Sequence, residues 1–226
     1  MKWLATILLL TLPTLAASQQ PHHEQAGRPQ ILAPGYAALQ FPVPEAGSYL
    51  LPAFGNAADG ELLDSSGNSV TLHDLYADKL VVLSFIYTSC NDVNGCPLAS
   101  FVLGLIQRRL LSDEELNSKV RLVTVSFDPA NDSPQVMADY ARGFRNGDVD
   151  WRFLTAVSEE SLAHILDDYD QAVIRDRNAD GELVGSMSHI LRVFLIDPQK
   201  QIRNIYSPSF LHPDILLADI RTVLGD

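Results

Sequence analysis

Cysteine is nearly absent from this chain. It has two in 226 residues, at positions 90 and 96. No disulfide framework can hold the chain together, so its stability must come from an apolar core. Basic charge is also scarce. Lys and Arg total 16 against 28 Asp and Glu, a formal net charge of −12, and no basic run occurs. Nucleic-acid binders carry a Lys/Arg stripe that neutralises phosphates, so no nucleic-acid partner is expected. The same acidity disfavours docking on anionic lipid. No apolar run reaches the ~20 residues that a membrane-spanning helix needs. What remains is 46% apolar and 19% charged residues. That is the composition of a globular protein rather than a disordered one, and the length suits one domain with extensions.

The N-terminus reads as an address. Lys2 precedes an apolar run from Trp3 to Leu15, and the small residues Ala16, Ala17 and Ser18 follow. This is the three-part pattern of a secretory signal peptide, placed at 1–18. The mature protein is then periplasmic or otherwise exported and has no membrane span. An uncleaved segment would instead tether it to the membrane. Residues 19–60 read as a Pro-rich tether, flexible as far as Gly35, and an irregular extension. His22 and His23 in that tail are expected to be solvated.

The domain occupies 61–226. Leu80–Tyr87 and Val120–Phe127 are nearly continuous apolar runs, the pattern of strands buried on both faces. Ile190–Ile196 reads as a third strand, with Gln201–Tyr206 as its hairpin partner. Between them lie helical patterns: Pro97–Leu111, one capped by Ser133 with Pro134 at its start, and one capped by Ser158. A last helix starts at His212-Pro213. Strands alternating with helices build an α/β domain with a central mixed sheet.

Cys90 and Cys96 follow the first buried strand directly and precede a helix. Ligands gather at this position in open α/β sheets. Pro97 fits the first helical position, which makes Cys96 the cap, with its sulfur facing free N–H groups and a lowered pKa. A structural disulfide is the plain alternative. It would close only a seven-residue loop, worth ~2–3 kcal/mol in the chain-entropy account. Redox work or metal binding suits the position better.

Three ordered blocks resemble the Sco/SenC family. They are Tyr87-Thr88-Ser89-Cys90 with Cys96-Pro97; Ser126-Phe127-Asp128-Pro129-Ala130-Asn131-Asp132-Ser133-Pro134 with Tyr140 and Phe144; and His189-Ile190-Leu191-Arg192-Val193-Phe194-Leu195-Ile196-Asp197-Pro198. The resemblance runs from about Leu62 to the C-terminus. It implies a thioredoxin-like fold with an inserted β-hairpin, and a copper site made of Cys90, Cys96 and His189. The cargo is Cu(I), with Cu(II) as the other oxidation state. The implied role is a metallochaperone that loads a copper-receiving enzyme such as a cytochrome oxidase subunit, with a thiol reductant protein as second partner. The alternative is a thiol-disulfide oxidoreductase or redox sensor that uses Cys90 and Cys96 catalytically. Two departures stand out. Five residues separate the cysteines, where the usual loop has three. Ser188 replaces the acidic residue often found before the histidine.

The chemistry agrees with copper. Two thiolates and an imidazole form a soft, three-coordinate set that suits Cu(I). Structural zinc normally takes four protein ligands, and His73, His164 and His212 are scattered. Asp176–Ser188 reads as a flexible stretch that lets His189 swing in. Its opening, Asp176–Glu182, imitates a calcium loop, but no acidic residue falls at the closing position, where Met187 stands.

Overall fold

The computed structural model describes residues 30–175, 178–180 and 187–225. The expected signal peptide, His22–His23 and most of the Asp176–Ser188 stretch lie outside these residues.

Among the described residues ten strands and six α-helices follow in order: β1 Gly55–Asn56, β2 Glu61–Asp64, β3 Ser69–Thr71, α1 Leu72–Tyr76, β4 Leu80–Ile86, α2 Cys96–Leu111, α3 Glu114–Lys119, β5 Val120–Ser126, α4 Pro134–Phe144, β6 Trp151–Thr155, α5 Glu159–Asp168, β7 Val173–Ile174, β8 Ser188–His189, β9 Val193–Ile196, β10 Gln201–Tyr206 and α6 Pro213–Gly225. Eight strands form one sheet in the order β1-β10-β9-β4-β5-β6-β2-β3. β4, β5 and β6 run parallel, and β9 lies antiparallel on the other side of β4. Every residue of β4 is buried. A strand covered on both faces needs continuous apolar character, which Leu80–Ile86 supplies.

This topology makes the end of β4 a switch point. The chain leaves β4 towards β5 on one side, and β9 arrives on the other. The crevice beyond the carboxyl ends of β4 and β5 is where such sheets present their chemistry.

The helix ends follow local rules. Ser133 caps α4 by accepting the Val136 N–H. Ser158 and Ser161 cap α5 reciprocally. Met137 and Ala141 of α4 and Leu162 and Ile165 of α5 are buried in the core.

Three expectations change. The strand expected at Ile190–Ile196 begins only at Val193. Ile190 is exposed, because Ser188 and His189 pair with Ile174 and Val173 in a separate two-stranded hairpin. Cys96 is not the cap of α2 but its first residue, with Gly95 in the cap position. The flexible tether was expected to reach Gly35, yet Ala33 and Gly35 are buried and Pro34–Tyr36 forms a 3-10 turn.

Candidate metal centre

Cys90 lies in the loop after β4, Cys96 opens α2, and His189 ends β8 in the hairpin. Their donor atoms lie within 4.8 Å of one another. Among the described residues this is the single such His/Cys/Asp/Glu group. His189 Nε2 sits 3.3 Å from Cys96 Sγ. Both cysteines are free thiols; Cys90 is half-buried and Cys96 is buried. This spacing is about what one ion with bonds of ~2.0–2.3 Å can bridge. The three residues expected from the sequence therefore meet at one point.

The loop between the cysteines is ordered by its own turn. Asp92 accepts the Asn94 N–H through its carboxylate at 3.0 Å and the Gly95 N–H through its carbonyl at 2.9 Å. The base of the loop is tied to β5. Thr88 donates its N–H and its hydroxyl to the buried Asp132 carboxylate, which also accepts the Ser126 hydroxyl.

The imidazole is held by packing and by strand pairing. Its ring lies 4.7 Å from Phe127 and 6.1 Å from Tyr87, and its backbone pairs with Val173. Arg175 anchors that hairpin. Its guanidinium donates to Glu159, Asp128 and the Phe127 carbonyl. His189 Nδ1 is buried and has no hydrogen-bond partner among the described residues. A metal-binding histidine usually gives this nitrogen to a carboxylate or carbonyl, and here Ser188 offers no acid. The Nε2 face is the one aimed at the sulfurs.

The two thiols are driven apart electrostatically. A hydrogen bond from the Cys96 thiol is the largest influence on Cys90 and favours its thiolate. Burial opposes this, while His189 and the N–H groups of Cys96 and Asp92 reinforce it, and Cys90 is pushed down to about 3. Cys96 is pushed up, first by its hydrogen bond to Cys90 and then by burial and the Cys90 charge. This corrects the expectation that Cys96 is the acidic thiol. At the first helical position its backbone N–H, one of the unpaired donors of the first turn, favours the thiolate of Cys90 as well as its own, so it does not set Cys96 apart. Burial and the bond to Cys90 also raise Tyr87.

The SCO1/SenC family model matches residues 56–225, three quarters of the sequence. The chain belongs to the SCO1/SenC family. The SCO1 protein homolog of Bacillus subtilis (strain 168) is 22% identical over 160 residues, covering 70% of this chain and 78% of that one. The copper-bound ScoI of Arabidopsis thaliana superposes with a TM-score of 0.62 at 21% identity, covering 76% of this chain and 99% of that chain. BsSco, a member of the Sco family of cytochrome c oxidase assembly proteins in which a disulfide switch was identified, gives 0.61 at 20% identity, covering 77% and 98%. The thioredoxin-like Sco fold is thus the fold of this SCO1/SenC chain.

Tyr87 and Asp132 stand in the sequence motifs, but the sequence alone assigns them no role. Arg175 carries no local signal at all, because its partners lie 16 to 48 positions away.

Proposed function

We propose that this chain is an exported Cu(I) chaperone that carries the ion on Cys90, Cys96 and His189 and passes it to a copper enzyme such as a cytochrome oxidase subunit. The carrying observation is the meeting of two sulfurs and one imidazole nitrogen within 4.8 Å. Soft thiolates with an imidazole select Cu(I) over harder ions. The hydrogen bonds around Cys90 favour its thiolate, so this ligand gives up its proton readily when metal arrives. Copper in the Arabidopsis relative and the oxidase-assembly role of the BsSco family support this reading. Export rests on the leader at 1–18, and the periplasm or another oxidising compartment is the proposed location. Among the described residues no helix is long and apolar enough to cross a membrane.

The test is a Cu(I) titration of the reduced protein against a chromophoric chelator. One ion per chain should be held, and each of Cys90→Ser, Cys96→Ser and His189→Ala should weaken it at least tenfold. Full affinity in Cys90→Ser would refute the proposal.

The split between the thiols favours a second reading, disulfide exchange. The Cys90 thiolate attacks a substrate disulfide, forming a mixed disulfide and releasing one substrate thiolate. Cys96, losing its proton, then attacks Cys90 Sγ and releases the second. Two electrons pass to the substrate and the pair ends as a disulfide. Turnover of a disulfide substrate that persists in Cys90→Ser would exclude this route.

A further inference from the structure

Ala33–Tyr36, well ahead of the SCO1/SenC match at residues 56–225, reach the cysteine loop. The Ala33 N–H donates to Asn94 Oδ1 at 2.7 Å, and the Tyr36 hydroxyl donates to the Val93 carbonyl at 2.6 Å. Val93 and Asn94 form the apex of the five-residue spacer between Cys90 and Cys96. The Tyr36 ring also packs on Phe101 at 4.9 Å, in the helix that Cys96 opens. One side chain therefore touches both the loop apex and the helix bearing the second cysteine.

Gly35 seats this segment. A Cβ there would lie 2.4 Å from the Leu211 carbonyl oxygen and 3.0 Å from Leu98 and Val102. The backbone approaches so closely that only glycine fits. The contact is specific rather than a chance resting place for a tail. The turn Asp92–Gly95 fixes the loop's inner hydrogen bonds, but its outward groups, the Val93 carbonyl and the Asn94 amide, are held from outside.

We infer that Ala33–Tyr36 is a strap that positions the cysteine loop, keeping Cys90 and Cys96 at the separation that one ion needs. The wider spacer leaves the loop more conformations than a three-residue one, and the strap removes them. The copper part of this inference rests on the proposed Cu(I) site. The bracing of the loop does not.

Two variants of the full chain test it. Tyr36→Phe deletes the bond to Val93 and keeps the ring. Gly35→Val unseats the strap. In reduced, metal-free protein, hydrogen exchange at the Asn94 and Gly95 amides should speed up about tenfold in both, while β4 amides exchange as in wild type. Cu(I) affinity should fall by a similar factor. A merely structural segment would change global exchange and leave the loop's relative protection alone. Unchanged loop exchange in both variants would overturn the strap. If Gly35→Val also speeds β4 exchange, Tyr36→Phe decides alone. If wild type binds no Cu(I), the copper reading fails, and loop exchange still decides the strap.

Discussion

Cys90 and Cys96 are chemically equal in the sequence and unequal in the fold. The inequality comes from the hydrogen bond between them, which Cys96 donates and Cys90 accepts, and from the deeper burial of Cys96. Iodoacetamide at pH 6 should therefore label Cys90 and spare Cys96, read by peptide mass mapping; equal labelling would contradict this. Cys96→Ala removes the strongest hydrogen bond to Cys90, so its thiolate should form at higher pH, measured by thiolate absorbance. A depressed acid stabilises the folded state above its unfolded pKa and loses that contribution as pH falls through the folded one. For Cys90 the contribution is complete above about 8.5 and is gone near pH 3. The stability gap between wild type and Cys90→Ser should narrow in that direction, checked by urea denaturation across pH. Periodicity alone could not place His189 beside the sulfurs. The resemblance supplied that, because 93 residues separate it from Cys96.

Elements buried on both faces were legible, since β4 and β5 need continuous apolar runs and little else does. The caps Ser133 and Ser158 were equally plain. Ser158→Ala should cost about 1 kcal/mol in thermal unfolding, the usual value of a lost cap. The hairpin was not legible. Ile190-Leu191-Arg192 extends the β9 pattern, and only the long-range pairing of His189 with Val173 stops it. α3 was missed because Glu114–Lys119 has a single buried apolar residue, Leu116, too few to show a period. Asp132 joins two elements at the site. Asp132→Ala strands the Thr88 N–H and the Ser126 hydroxyl, so it should cost about 1–3 kcal/mol. It should also loosen the cysteine loop, seen as faster exchange at the Thr88 amide.

At the scale of the whole molecule, one rigid sheet brings three distant segments to one edge. β4 delivers the loop, β5 delivers Phe127 and Asp132, and the connection from α5 to β9 carries the hairpin. Truncating the centre of β4 should affect everything. Leu83 is fully buried between Val123 and Phe194, and Leu83→Ala should cost about 2–5 kcal/mol by chemical denaturation. The central claim is that two sulfurs and one imidazole hold a single Cu(I). Copper K-edge X-ray absorption on the loaded protein tests it most directly. Two sulfur scatterers and one imidazole nitrogen, with the imidazole signature lost in His189→Ala, are the predicted result. A site with a single sulfur, or an imidazole signature that persists in that variant, would contradict the account.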